Sequence, residues 1–494
     1  MHPISSTSME CLPNELLFPI LEACVVPSLF SVCKRWHHLL ATEVMPSLYK
    51  QIGKVHVPQG NVKEQALILD KIYKLDEEHS AVTKVNAIFK QIFALASSLS
   101  PMELEFKWIT EEKRCFTLAN YSSYLMNINR LLVWKKLPGG GEYLNQENIK
   151  YLPLHKKGEL FKEWIEKCDQ LVVKLYLSEV GLPFLSSGSG RLTQLKELHL
   201  SHNQLTALPA EIGQLSQLQW LYLNQNHLTA LPIEIGRLFK LQGLDLSQNQ
   251  LTALPAEIGQ LTQLQELKLD QNQLTALSAE IGHLTQLQEL KLDQNQLTVL
   301  PAEIGRLSKL QGLDLSQNQL TALPAAIGQL SQLQYLYLNQ NQLTGLPAAI
   351  GQLTQLQTLE LNQNQLTALP AEISQLSQLQ YLYLNQNQLT SLPAEIGQLS
   401  QLRWLDSSQS QLTSLPVEIG QLSQLRVLKL NQNQLTVLPA EIGRLSQLEW
   451  LELNRNQLTS LPAEIGRLSQ LHTLKLVENP LKHIAEKIRQ CFRL

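Results

Sequence analysis

The sequence predicts an α/β solenoid with a parallel sheet along one side, preceded by an all-α region. Three observations predict it. A 23-residue unit recurs through the second half of the 494-residue chain without one insertion or deletion. Nearly every unit carries a Leu-x-Leu alternation followed by Pro and Gly at fixed offsets, which marks a short strand and a sharp return. Ahead of the array, apolar residues fall three and four apart, as on helices that pack against one another.

The array is read first. LTQLKELHLSHNQLTALPAEIGQ begins at Leu192 and returns at 215, 238, 261, 284, 307, 330, 353, 376, 399, 422, 445 and 468, so that thirteen units fill 192–490. A degenerate unit, 169–191, keeps Val172, Leu175 and Leu177 in register but has Val180 in place of the asparagine. In the first full unit, Leu198 and Leu200 alternate with Glu197 and His199, the period of a strand with one buried face. Asn203 follows, and a buried amide there can satisfy backbone groups of the turn and of the adjacent coil. Leu205, Leu208, Ile212, Leu215 and Leu218 complete an inner wall, and Pro209 and Gly213 punctuate a return that is short and irregular or a helical turn. One unit cannot bury its own leucines, so stability comes from stacking.

These residues resemble the leucine-rich repeat family in its LxxLxxLxLxxNxLxxLPxxIGxL form. The resemblance implies a right-handed horseshoe with a parallel sheet on its concave side, where thirteen strands would span roughly 60 Å. Departures are few. Ser278 replaces the proline, Ser374 the glycine, and Ala326 and Ala349 the glutamate of the return. Ser407 and Ser410 replace a core leucine and the asparagine, which predicts a local packing defect. The last unit exchanges its ending for a charged, helix-like tail that reads as a C-terminal cap.

Residues equivalent to 197 and 199 point out of the sheet. Among them Asp245, Glu266, Glu289 and Asp314, with the neighbouring Asp270 and Asp293, form an acidic strip. Aromatic residues bracket it in sequence: Trp220 and Tyr222 before it, and Tyr335, Tyr337, Tyr381 and Tyr383 after it, with Trp404 and Trp450 further on. Strands favour aromatic residues anyway, but eight on one exposed face point to binding. Phosphate is repelled by such a strip, so the expected target is a protein with a basic, partly apolar surface.

The first fifty residues read as small helices. Pro13, Asn14 and Glu15 suit a helix start, and Leu16, Leu17, Ile20 and Leu21 follow at helical spacing. After a break at Pro27 and Ser28, Leu29, Val32, Cys33, Trp36, Leu39 and Leu40 lie on one predicted stripe. The L-P-x-E-L opening and V-C-K-R-W resemble an F-box. The resemblance implies docking to the Skp-type adaptor of a cullin ubiquitin ligase, with Leu12, Pro13, Leu16, Ile20 and Leu21 in the opening contact and Val32, Cys33 and Trp36 anchoring the last helix. A zinc site on Cys24, Cys33 and His37 lacks a further cysteine, and Lys34 and Arg35 have no basic neighbourhood for nucleic acid.

NVKEQALILDKIYKL, VTKVNAIFKQIFALASSL and GELFKEWIEKCDQL read as amphipathic helices, and KKLPGGGEYLNQENIKYLP as a loop. The expected division is therefore 1–54, F-box-like; 55–168, a helical linker that caps the array; and 169–494, the solenoid. A net charge of −3 provides no field for nucleic acid or anionic membrane. No secretory signal or spanning segment is evident, and six scattered cysteines fit free thiols in a reducing compartment. No catalytic constellation, metal set or cofactor loop stands out, and the four residues after the last unit give Cys491 no room for an active-site fold. The expectation is a cytoplasmic, non-enzymatic substrate receptor without a cofactor. An F-box on such repeats also resembles effectors that intracellular bacteria deliver into a host, which would place the chain in host cytosol. The alternative is a plain scaffold or inhibitory binding protein.

Overall fold

The structure, a computed structural model, describes residues 13–57, 61–100, 116–168 and 172–482. The chain forms two compact units, Met1–Leu238 and Phe239–Leu494. The first contains the helical region and the opening repeats, and the second contains repeats only. Leu12 and the tail beyond residue 482, where the C-terminal cap is expected, lie outside the described residues.

In the first unit, helices α1 (Asn14–Ala23), α2 (Lys34–Leu39), α3 (Met45–His56), α4 (Val62–Tyr73) and α5 (Ala81–Leu99) precede α6 (Leu118–Lys136). Two short helices, α7 (Gly140–Leu144) and α8 (Glu147–Lys150), lead into α9 (Leu154–Cys168). Helix α4 has a capping box between Asn61 and Glu64, which satisfies backbone donors at its start. One apolar core runs from Leu17 through Trp36, Ile52, Phe89 and Tyr121 to Leu154, so the first helices share a core with the helices that follow. At its centre Tyr121 bonds His56 and, at 2.7 Å, Tyr73. Burial lowers the His56 imidazole to about 4, which leaves it neutral. Lys84 reaches Asp70 at 2.6 Å in a buried ion pair, and the Tyr49 hydroxyl donates to the same carboxylate.

Two expectations for this region need correction, and one helix carried no signal. The stripe from Leu29 to Leu40 is not one helix. Pro27–Ser31 forms a separate 3-10 turn, and Cys33 is extended, its sulfur accepting from Trp36 N–H at 3.5 Å as the cap of α2. The segment read as a loop, 135–153, contains α7 and α8. Glycine is demanded there, because a Cβ on Gly140 would lie 1.9 Å from the Trp134 carbonyl oxygen. Helix α6 had no clear signature, since it buries Asn127 and Asn129 beside Leu125, Ile128 and Leu131 and shows no clean apolar stripe.

The repeats form as expected. Strands β1 (Lys174–Tyr176), β2 (Glu197–His199) and β3 (Trp220–Tyr222) lie parallel in the first unit. In the second, β4 (Gly243–Asp245) through β14 (Thr473–Lys475) continue in 23-residue steps, each parallel to the next. The middle leucine of each strand faces inward, as Leu336 and Leu382 do, both fully buried. Each return among the described residues is a five-residue 3-10 turn, for example Ala210–Gln214 after Pro209. The motif glycine permits close stacking: a Cβ on Gly328 would come within 2.4 Å of the Ala349 carbonyl oxygen.

The asparagine of each unit joins two units. Asn341 Oδ1 accepts from Leu320 N–H at 3.0 Å, while Nδ2 donates to Leu315 and Leu338 carbonyls at 2.9 and 3.2 Å. Asn203 does the same for Leu182, Leu177 and Leu200. At Ser407 and Ser410 the pattern fails. Ser407 is 0% exposed, and both hydroxyls are buried without a partner. Restoring Ser407→Leu with Ser410→Asn fills that space and gives the Leu389 N–H its acceptor. The double variant should melt several degrees higher by calorimetry. An unchanged or lower melting temperature would show that the defect is already relaxed.

Candidate interaction surfaces

The outward face of the sheet is built by register. Because the period is constant, the residues on either side of each inward leucine line up from strand to strand. In the first unit this stacks Tyr176 on His199 and His199 on Tyr222, with ring centroids 4.5 Å apart in each pair. Trp220 lies 6.3 Å from Tyr222. The sequence reading named Trp220 and Tyr222 for binding; it placed His199 on this face without a binding role and overlooked Tyr176, and these two occupy the register position of Tyr222 one and two units earlier. Lys174 bonds Glu197 at 2.7 Å and holds its carboxyl below the ordinary range.

The acidic strip belongs to the second unit, and it is narrower than its sequence suggests. Glu266 pairs with Lys268 at 3.3 Å and Glu289 with Lys291 at 3.0 Å, each within its own strand. Those lysines sit on the same face, so the two glutamates are largely offset. Asp245 accepts from Ser247 N–H and hydroxyl at 3.0 and 2.6 Å, and Asp314 accepts from Ser316 N–H at 2.9 Å. The remaining carboxylates, Asp270 and Asp293, crowd each other. Burial, then Asp293 and Asp245, raise Asp270 to about 6 from its ordinary 3.8. Burial and the neighbouring Asp314 raise Asp293 as well.

A raised carboxyl pKa means that the folded chain holds the proton more tightly than the unfolded one. Stability is then lost as pH climbs from about 4 to about 6, and the loss persists above that. Asp270→Asn, the residue found in register at Asn339, Asn362 and Asn385, should raise the urea midpoint at pH 7.5 by the equivalent of about 1–2 kcal/mol after allowance for partial exposure. It should leave the midpoint at pH 4 nearly unchanged. Equal midpoints at pH 7.5 would mean that Asp270 ionises without penalty.

Beyond the carboxylates the face turns aromatic and then cationic. Tyr335 is 39% exposed, and Tyr337, Tyr381, Tyr383, Trp404 and Trp450 are half-buried along the strands. Tyr383 and Trp404 lie 5.9 Å apart. Lys429 covers the Trp404 ring at 4.7 Å, and Lys475 covers Trp450 at 5.0 Å. Trp450 Nε1 donates to Glu452 at 2.7 Å, whereas Trp404 Nε1 is buried without a partner. A hollow of about 380 Å³ opens among Tyr381, Arg403, Trp404, Arg426 and Glu449, with Arg426 reaching Glu449 at 3.3 Å. Arg403 and Arg426 were not among the expected residues. They stand one place before their strands, where units two to nine carry glutamine, and that change in an otherwise constant column was the available signal.

The candidate adaptor contacts separate by burial. Pro13, Leu16 (57% exposed) and Val32 (48% exposed) face outward, while Ile20 and Cys33 are half-buried. Leu21 and Trp36 are buried in the chain's own core. They support the helices from within. No group of three or more His, Cys, Asp or Glu among the described residues could hold a metal ion. No helix among them is long and apolar enough to cross a membrane.

Comparison with known proteins bears on the array. The family model for the leucine-rich repeat region matches residues 185–296, 278–357, 326–399 and 391–494. A leucine-rich repeat protein of Leptospira interrogans is 42% identical over 67% of this chain and 90% of that one, with a TM-score of 0.55. An internalin of Listeria monocytogenes is 26% identical over 62% of this chain and 88% of that one, with a TM-score of 0.54. The plant peptide hormone receptor RGFR1, in complex with RGF2, is 29% identical over 66% of this chain and 62% of that one, with a TM-score of 0.50. No curated protein matches significantly. The matches of this kind cover more than half of the residues, and the chain belongs to the leucine-rich repeat family.

Proposed function

We propose that the chain is a non-catalytic receptor that brings a target protein, held on the outward face of the sheet, to a Skp-type adaptor docked on its N-terminal helices. The observation that carries the target half is the row Tyr335, Tyr337, Tyr381, Tyr383 and Trp404, partly exposed on consecutive or alternate strands of a rigid array. Rigid aromatic side chains lose little entropy on binding and dominate interface energetics. The plant peptide hormone receptor is itself solved in complex with RGF2, which supports reading the array as a protein-ligand binder. Charge on the face is polarised. The Asp270 and Asp293 end suits a basic stretch of the target, and the Arg403 and Arg426 end suits an acidic one. In this reading the chain acts in the cytosol, and as a delivered bacterial effector it would act in that of the host.

The adaptor half rests on the F-box resemblance and on Leu16 and Val32, two apolar side chains left exposed within the segment that carries it. The test uses the whole chain, because the first helices share their core with residues as distant as Leu154. Purified eukaryotic adaptor should bind the unaltered chain, and Leu16→Asp with Val32→Asp should weaken binding at least about tenfold without loss of helical circular dichroism. No binding by the unaltered chain would remove the ubiquitin reading and leave a scaffold or inhibitory protein. That second reading is favoured by the burial of Leu21 and Trp36, which shows the first helices completing the chain's own helical core.

A further inference from the structure

The junctions between units are not equal. Between 353–375 and 376–398 two side-chain bonds cross. Asn387 Oδ1 accepts from Leu366 N–H at 3.0 Å, and Asn362 Oδ1 accepts from Asn385 N–H at 3.0 Å. Between 399–421 and 422–444 two cross again. Asn433 Oδ1 accepts from Leu412 N–H at 3.0 Å, and Ser408 Oγ accepts from Asn431 N–H at 3.2 Å.

At the junction between 376–398 and 399–421 neither bond is made. Ser410 stands where the inner asparagine belongs, and the N–H of the fully buried Leu389 has no acceptor among the described residues. Ser408 N–H turns back to Asp406 Oδ1 of its own unit at 3.0 Å instead of reaching Asn385. The inner wall is also short, because Ser407 replaces the strand leucine, and its hydroxyl and that of Ser410 are buried without a partner. No other unit replaces both the leucine and the asparagine. The hydrogen bonds that still cross are main-chain. Strands β10 (Tyr381–Tyr383) and β11 (Trp404–Asp406) pair in the common register, and Leu384 N–H bonds Asp406 O at 2.7 Å. The sheet is therefore continuous across a junction that its side chains do not brace.

We infer that the array opens at this junction, the units from 399 onward coming away as one block while the units before it stay folded. In a stacked array each unit is held only by its neighbours, so the least braced junction is where cooperativity divides. Its position gives the opening a consequence. Asp270, Asp293 and the tyrosines lie before the junction, and Arg403, Trp404 and Arg426 lie after it. The hollow among Tyr381, Arg403 and Trp404 spans it. Opening splits that hollow and withdraws the arginine end of the face, whereas a target touching both sides binds only the closed form and holds it shut. This consequence rests on the target reading, and the opening itself does not.

The experiment is hydrogen exchange followed by mass spectrometry on the full chain without any target, in rising urea below the main transition. Peptides covering Trp404–Asp406, Val427–Lys429 and Trp450–Glu452 should exchange at one common rate, at least about tenfold faster than those covering Tyr335–Tyr337, Thr358–Glu360 and Tyr381–Tyr383. Ordinary fraying from an end gives a graded fall instead of a step. Ser410→Asn, which offers Leu389 N–H an acceptor without altering the outward face, should shrink the step, and Ser407→Leu with Ser410→Asn should abolish it. Equal protection on both sides, a graded fall across β10 and β11, or a step that both variants leave intact would overturn the inference. With no target present, these outcomes bear on the opening alone, and a failure of target capture would leave them standing.

Discussion

Asn341→Ala should destabilise the second unit by about 2 kcal/mol, a large effect for a polar side chain of the repeats. The amide fills one slot between stacked units and makes three kinds of contact at once. It accepts from Leu320 N–H and donates to the carbonyls of Leu315 and Leu338. Alanine leaves the Leu320 N–H buried and unpaired, while the Leu315 and Leu338 carbonyls keep Asn318 Nδ2 and Asn364 Nδ2 as donors, and the energy of a lost bond is exceeded by the desolvation of the N–H that remains. Coupling in a solenoid passes only through neighbours, so the loss is local in origin. Urea unfolding followed by circular dichroism should show an earlier or divided transition. The control is Gln342→Ala, one residue on and exposed, which should leave the curve where it was. Coincident curves for Asn341→Ala and the control would show that water replaces the amide without penalty.

The second large effect concerns binding. Tyr335→Ala with Tyr381→Ala removes two partly exposed rings in the same register, two units apart, and should reduce target capture roughly a hundredfold if each contributes as an interface anchor does. The expected readout is quantitative mass spectrometry of proteins retained from a eukaryotic lysate: species held by the unaltered chain are depleted from the variant. Neither ring occupies the inner wall, which is leucine at Leu336 and Leu382, so circular dichroism should be unchanged. Retention of the same species at the same level would move the binding surface off this part of the sheet.

The array was legible because every unit must solve the same packing problem, and thirteen solutions in succession leave no doubt about which positions are inner. Leu198 and Asn203 could be given roles from spacing alone, and their burial and bonding follow. What spacing could not show was backbone state. Gln225, Gln248 and their equivalents sit in the left-handed region, with φ near +55°, although glutamine carries no signal for it. The same conformation holds at Gln409 and Glu179, which precede Ser410 and Val180, so the turn's path rather than the asparagine alone selects it. The outward face was half legible. The rings could be placed, but the offset of Glu266 and Glu289 by lysines two residues on requires knowing that the side chains reach each other. Arg403 and Arg426 were hidden by attention to the strands themselves. In the helical region, Leu29 and Trp36 share a periodic pattern across a break that Pro27 and the Cys33 cap create. Periodicity survives such a break, and continuity of the helix does not.

The asparagine bridges have a consequence at the level of inheritance. Each runs between positions 21 and 26 residues apart, as with Asn341 to Leu320 and Leu315, and both ends recur every 23 residues. Excision or duplication of any whole number of units by unequal recombination therefore rejoins every bond with an equivalent partner, and only the outward residues change neighbours. Length becomes a freely adjustable trait of the gene. A lineage could move the carboxylate and arginine ends of the face nearer or further apart, one strand spacing at a time, and so retune which targets fit without rebuilding a core.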